Sequence, residues 1–213
     1  MSRALTPEEI TAFRNTLCDV ATRRFAELGY DGVTMRGLAA EVGCSPMTPY
    51  RYFKGKEEIF AAVRAAAFKR LSDRCETAMA SAPDEITGAA RIGQTYLRFA
   101  LDEPDAYKIM FELSQPDDED YPELAEQVER SRHFLAGPTR VMVEAGILSG
   151  DPEKLAQVFW AGIHGVIVLH LSGKLGPDTD VAELFNMVSQ IIAQGARGPN
   201  YERLTQAGAA AAA

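Results

Sequence analysis

The 213-residue sequence predicts an all-α protein of about nine helices. An N-terminal three-helix helix-turn-helix head is expected over residues 1–56, a larger helical body over 57–197 and a low-complexity tail over 198–213. Three observations carry this expectation. Apolar residues recur at helical spacing, as in Ile10, Phe13, Leu17, Val20, Ala21, Phe25 and Leu28. Helix signals punctuate these stripes: Thr6-Pro7, Ser45-Pro46 and Asp151-Pro152 pair a capping oxygen with proline at the first helical position, and Gly29, Gly43 and Gly146 stand where helices stop. Hydrophobic residues make up 46% of the chain, enough for a real core.

The first helix runs from Pro7 to Leu28, with Glu8 and Glu9 favouring its N-terminus. Arg14, Arg23 and Arg24 lie off its apolar stripe, where solvation is the expected role. Met35, Leu38, Ala39 and Val42 give the second helix one apolar face; Thr34 caps it and Gly43 ends it. Ser45 and Pro46 then open a short third helix to about Phe53, poor in apolar residues, whose outer face carries Met47, Thr48, Tyr50, Arg51 and Tyr52, with Lys54 and Lys56 just beyond. This is the pattern of a helix-turn-helix DNA reader, in which the second helix of the pair enters the major groove. Hydroxyls and a phenol suit phosphate oxygens, and Arg51 suits a base edge or a phosphate. Lys56 is expected to hold a phosphate together with the N-terminal dipole of the helix it opens. An ordinary helical hairpin has no reason to place Tyr-Arg-Tyr-Phe-Lys on a solvated helix end.

Lys56 to about Ala80 reads as one long helix with Ile59, Phe60, Val63, Ala67 and Leu71 inward, a rigid element able to carry displacement from one end to the other. After a break at Ser81–Asp84, helices follow from Glu85 to about Leu101 and from Pro104 to Leu113. The stretch Ser114 to Pro122 is an acidic surface loop, and its contiguous acids lack the spacing of a metal loop. A helix from Glu123 to about Ala145 is expected to be interrupted at Gly137-Pro138. Residues 155–171 are apolar on nearly every side, and Val181, Leu184, Phe185, Val188, Ile191 and Ile192 stripe a last helix opened by Asp178-Thr179-Asp180. Two such helices fit a two-fold four-helix seam, so a homodimer through them is expected.

Net charge is −8, but residues 1–56 hold eight Arg/Lys against six Asp/Glu and the remainder fourteen against twenty-four, +2 against −10. Only the N-terminal end favours DNA, and few phosphate contacts per subunit make pairing of subunits necessary for affinity. The chain has no run of eighteen apolar residues and its N-terminus lacks a signal-peptide core, so a cytoplasmic protein with no membrane partner is the expectation. Cys18, Cys44 and Cys75 read as reduced packing residues. His164 and His170 are six apart, which does not place two ligands on one helical face, and no metal or cofactor is expected. Nucleophile elbows, phosphate loops and supported carboxylate pairs are missing, which argues against an enzyme. Phe99, Tyr107, Met110, Phe111, Phe134, Met142 and Trp160 offer aromatic and flexible apolar surface for a cavity between helices, with His164 able to meet a ligand's polar end.

Residues Leu17 to Val63 resemble the N-terminal domain of the tetracycline-repressor (TetR) family of transcriptional regulators, about a fifth of the chain. The resemblance rests on Phe25, a small residue, Glu27 and Gly29-Tyr30 in the first helix, on Thr34 opening the second, and on Thr-x-Tyr-x-Tyr-Phe-x-x-Lys-Glu from Thr48 to Glu57. It implies that Thr34, Ser45, Thr48, Tyr50 and Lys56 match DNA-contacting positions, with Pro46, Met47, Arg51 and Tyr52 facing the groove or its walls; Arg36 and Lys54 complete the candidate set. Where the family usually carries an aliphatic residue this chain has Pro49, which removes an early helical hydrogen bond and biases Thr48 away from helical geometry. Trp160-x-x-x-His164-Gly165, followed by Leu169 to Lys174, also resembles the C-terminal domain of one branch of these regulators. The function implied is a homodimeric repressor on a palindromic operator, released by a small apolar or amphipathic effector. A helical small-molecule carrier or adaptor without DNA function is the rival reading.

Overall fold

The structure is a computed structural model that describes residues 6–111 and 120–202. Most of the expected acidic loop, through residue 119, and the tail beyond residue 202 lie outside the described residues. Among the described residues the chain forms eight α-helices, one 3-10 turn and no strand. The helices are α1 (Pro7–Gly32), α2 (Met35–Val42), α3 (Lys56–Ala80), α4 (Glu85–Asp102), α5 (Pro104–Met110), α6 (Pro122–Glu144), α7 (Pro152–Leu171) and α8 (Val181–Gly195), with the 3-10 turn at Pro49–Arg51.

By spatial contact the chain divides into two compact units, residues 1–69 with 103–128, and 70–102 with 129–213. The first unit thus draws in α5, from the middle of the sequence. Its core joins Leu17, Val20, Ala21 and Phe25 of α1, Met35 and Leu38 of α2, Phe53, Ile59, Phe60 and Val63 around the start of α3, and Ile109 of α5. Phe25 and Tyr30 both meet Phe60 edge-on, with centroids 4.7 and 5.0 Å apart. Thr6 and Glu9 form the reciprocal capping box that starts α1. The ends of the α1 stripe are not covered: Ile10 is 38% and Leu28 51% exposed. Ile10 precedes Phe13, where core contact begins, and Leu28 precedes Gly29, which leaves helical geometry at φ 69°. Arg64 of α3 is buried, its Nη2 donating at 3.5 Å to the carbonyl of Met110, the last residue of α5. A cation there also meets the negative end of the α5 dipole.

The second unit is built from local start and stop signals. Asp84 Oδ1 accepts from Thr87 N–H at the head of α4, while Asp151 and Asp180 each accept two backbone N–H groups at the heads of α7 and α8. The interruption expected at Gly137-Pro138 does not divide α6, which carries Pro138 in its interior. Gly162 lets α8 approach α7: a Cβ there would stand 2.9 Å from side-chain carbons of both Val188 and Ile192. The outer surface of the pair stays apolar, with Val158 51%, Val168 41%, Leu169 43%, Met187 48% and Ile191 63% exposed. By length and composition α7 alone among the described helices is apolar enough to cross a membrane, with mean hydropathy 1.3 and 17% of that window buried, although it is not an unbroken apolar run.

Candidate functional site

The reading segment begins as the sequence predicts. Thr34 Oγ1 accepts from Gly37 N–H at 3.1 Å, fixing the start of α2, and Gly43 ends it at φ 77° with its N–H donating to Ala39 and Ala40 carbonyls. A side chain is strained at that φ, which is why glycine occupies the turn.

The α-helix expected from Pro46 to Phe53 does not form. In its place a turn closed by Thr48 N–H to Ser45 carbonyl at 2.9 Å leads into the 3-10 turn, closed by Arg51 to Thr48 at 3.1 Å and Tyr52 to Pro49 at 3.0 Å. The sequence holds two adjacent start signals, Ser45-Pro46 and Thr48-Pro49, and the later one prevails. Pro49 has no N–H to give the Ser45 carbonyl, and its ring would collide with that carbonyl in an α-helix, so the first helical turn cannot complete. Placed at the first position of the new turn, the same proline misses no donor. Thr48 itself lies in the right-handed helical region, φ −63° and ψ −45°, against the expected bias, and its hydroxyl shares a 2.8 Å hydrogen bond with that of Ser45.

This turn displays most of the candidate residues. Thr34, Arg36, Ser45, Pro46, Arg51 and Lys54 are exposed, Met47 is 70% and Tyr50 48% exposed, and Thr48 is half-buried. No hydrogen bond or ion pair among the described residues engages the side chains of Arg36, Arg51 or Lys54. Two expectations are corrected. Tyr52 does not face outward: its ring stacks on Phe13 at 4.4 Å and joins the head's core. Lys56 is half-buried, its ammonium donating to the Tyr30 carbonyl at 2.9 Å and lying 4.1 Å above the Tyr30 ring. The head of α3, expected to hold a phosphate, already holds carboxylates, since Glu57 and Glu58 occupy its first turn and Glu58 accepts from Lys54 N–H at 2.6 Å.

Beneath the display lies a support that sequence spacing does not reveal. Arg14 of α1 donates to the Tyr52 carbonyl at 2.5 Å and stacks 4.0 Å above the buried Phe53 ring. Its partners are 38 and 39 positions away, and the only local sign is that it follows Phe13, a member of the stripe, in sequence. Arg24 pairs with Glu41 at 2.8 Å, with Arg23 at 3.8 Å from the same carboxylate, tying α1 to α2.

The expected ligand-binding residues fall into both units. Tyr107 and Met110 are buried in the first, where Phe111 meets the rings of Tyr107 at 5.1 Å and Phe68 at 6.0 Å. In the second, Phe99 is buried under the Arg74 guanidinium, Phe134 is half-buried beside His133, and Met142 packs with Ala89, Ile147, Leu148 and Ala193. Trp160 and His164 meet through Tyr96, a residue that the sequence reading passed over. Trp160 Nε1–H can only donate, so Tyr96 Oη accepts from it at 3.1 Å, and the same oxygen shares a 3.3 Å hydrogen bond with His164 Nδ1. Burial holds the His164 pKa below its usual value, which favours the neutral ring. A groove of about 520 Å³ in the same unit is lined by Asp84, Glu85, Ile86, Val141, Glu144 and Ala145, none of the expected set. No group of three His, Cys, Asp or Glu that could hold a metal occurs among the described residues. Burial raises the thiol pKa to about 11 for Cys18 and about 12 for Cys75.

Known proteins share this fold. Residues 17–63 match the family model described as bacterial regulatory proteins, tetR family, and residues 89–191 match the tetracyclin repressor-like C-terminal domain. The chain is 26% identical over 150 residues to YhgD, an uncharacterised HTH-type transcriptional regulator of Bacillus subtilis strain 168, spanning 68% of this chain and 77% of that one. In fold it resembles a TetR family transcription regulator from Marinobacter aquaeolei VT8, with TM-score 0.71 and 18% identity over 91% of this chain and all of the other. It likewise resembles the transcriptional regulator FadR of Bacillus subtilis, whose structure is a complex with stearoyl-CoA, with TM-score 0.70 and 19% identity over 85% and 98% of the two chains. With both the reading head and the C-terminal helices matched, the chain belongs to the TetR family of DNA-binding transcriptional regulators.

Proposed function

We propose that this regulator is a homodimeric repressor that binds a palindromic operator through the head over residues 1–56 and lets go when a small apolar or amphipathic molecule enters its C-terminal helices. The DNA-facing set is Thr34, Arg36, Ser45, Pro46, Met47, Thr48, Tyr50, Arg51 and Lys54. Tyr52 and Lys56 chiefly hold the head together. The observation that carries the reading is the outward display of Met47, Tyr50, Arg51 and Lys54 on a turn whose other side, Pro49 and Phe53, is buried. Solvated tyrosine and arginine with an exposed methionine serve no packing purpose there, and they suit phosphates, base edges and thymine methyls.

The apolar outer surface of α7 and α8 supports pairing with a second copy through those helices, since a monomer rarely leaves so large an apolar patch in water. Paired heads must stand about 34–36 Å apart, or a multiple of that, to meet successive turns of one DNA face. An effector that favoured a wrongly spaced dimer by about 5 kcal/mol would switch the population almost completely. Stearoyl-CoA, bound by the FadR of Bacillus subtilis, is an amphipathic molecule of the proposed class. Selection from random duplex DNA tests the reading. A palindromic consensus is expected, bound by full-length protein with an affinity that falls steeply as salt rises and drops at least tenfold in Arg51→Ala. Failure to enrich any duplex would overturn it.

A further inference from the structure

We infer that the groove between the head of α4 and the last turn of α6 holds an amphipathic cation, a molecule with a protonated amine on an apolar body. This rests on the effector reading above and gives the effector its charge.

The groove has a volume of about 520 Å³, the size of a small-molecule site. Its floor is apolar: Ile86, Val141 and Ala145 line it and pack against the buried cluster around Met142 and Ile147, which holds the floor in place before any ligand arrives. Its rim is acidic. Asp84 and Glu85 stand at the start of α4 and Glu144 at the end of α6, and no basic residue is among the lining groups. Local structure accounts for the first two. Asp84 accepts from the Thr87 N–H and the Thr87 hydroxyl, each at 2.9 Å, and Glu85 meets the positive end of the α4 dipole. Glu144 has no such reason. It is the last residue of α6, where the negative end of the helix dipole disfavours an acid, and no basic residue shares that turn. Among the described residues no hydrogen bond or ion pair engages the side chain of Glu85 or Glu144. The arginines nearest to each wall in sequence are engaged elsewhere, Arg91 by the Ser81 carbonyl at 3.2 Å and Arg140 by Glu153. Carboxylates that line one groove without a cation raise each other's energy, and a bound cation removes that cost. An ammonium group has three donors, so it can meet carboxylates of both walls while its apolar body covers the floor. An acyl-CoA, whose phosphates are anionic, meets the wrong potential here.

The test titrates the full-length protein with octylammonium, octanoate and methylammonium by calorimetry, and repeats the first titration in Glu85→Gln/Glu144→Gln. Octylammonium should bind about tenfold more tightly than methylammonium or better, since each methylene laid on the floor is worth about fourfold. Octanoate, with the same chain and the opposite charge, should not bind. Each lost carboxylate should weaken octylammonium about fivefold, about 25-fold in the double variant, and rising salt should weaken it in the wild type. Both glutamates are exposed, so the variant is expected to keep its helix content by circular dichroism. At saturating octylammonium a selected operator duplex should be released, as read by fluorescence anisotropy. Absence of octylammonium binding, equal binding by wild type and variant, or octanoate bound as tightly would overturn the inference while leaving operator binding intact. Octylammonium that fills the groove without weakening the operator complex would defeat the effector reading instead.

Discussion

Ile109 provides a direct test of how the head is assembled. It lies 40 residues beyond the contiguous part of the first unit, yet it is 1% exposed within the cluster that holds Leu17, Val20, Ala21 and Phe25. Ile109→Ala removes three carbons from that cluster, a transfer cost of about 2.4 kcal/mol at about 0.8 per methylene. The cavity left behind raises the total to about 3 kcal/mol, within the range for such truncations. Opening of the head should then become about 100-fold more frequent, a tenfold change for each ~1.4 kcal/mol. Native-state hydrogen exchange reads this by location. Amides from Leu17 to Phe25 should exchange about two decades faster in the variant, while those from Phe185 to Ala193 in α8 keep their rates. Unchanged protection in α1, or an equal loss in α8, would show that α5 is not part of the head's cooperative core.

Arg14→Met keeps the apolar stem but removes the bond to the Tyr52 carbonyl and the cation over Phe53. Operator affinity should fall about tenfold, the ~1.4 kcal/mol expected for one charge-assisted bond, with helix content by circular dichroism unchanged. Ile191→Glu, at a residue 63% exposed on α8, should convert the dimer to a single subunit in sedimentation. Cys18 and Cys75, with thiol pKa values near 11 and 12, are about one part in a thousand and one in ten thousand thiolate at pH 8. Since the thiolate is the reacting form, both should resist a disulfide reagent at pH 8 and react fast once the chain is unfolded, where an ordinary thiol is about a quarter ionised. Brisk reaction of both in the folded protein would refute the burial assigned to them.

Elements with local determinants were legible in the residues. Thr6, Thr34, Asp151 and Asp180 cap the helices they precede because capping needs only the side chain and the next three N–H groups. The segment from Ser45 to Phe53 was misread because two capping-residue and proline pairs compete three positions apart, and only the missing donor at Pro49 decides between them. Tyr52 and Lys56 carry the chemistry of DNA-contacting side chains; what turns them inward is the Phe13 ring and the Tyr30 carbonyl, both on α1. The Trp160, Tyr96 and His164 chain was half-visible for the same reason. Two members share α7 at helical spacing and the connecting hydroxyl lies 64 positions from one of them. Sequence patterns report faces and ends, while partners brought together by tertiary packing need the fold.

The electrostatics of the head limit what one subunit contributes to the proposed operator binding. Four of its basic residues are already engaged: Arg14 by a carbonyl, Arg23 and Arg24 by Glu41, and Lys56 by Tyr30. Among the described residues of the head, Arg36, Arg51 and Lys54 have no such partner. Three phosphate contacts give a salt slope of about −2.7, so raising salt from 50 to 200 mM weakens a single head about 40-fold from an already modest affinity. Two heads held rigidly together double the slope to about −5.4 and pay the entropy of association with DNA once rather than twice. On the proposed reading, the apolar surface of α7 and α8 and the sparse charge of the reading turn are two sides of one arrangement, in which pairing supplies the affinity that a single head lacks.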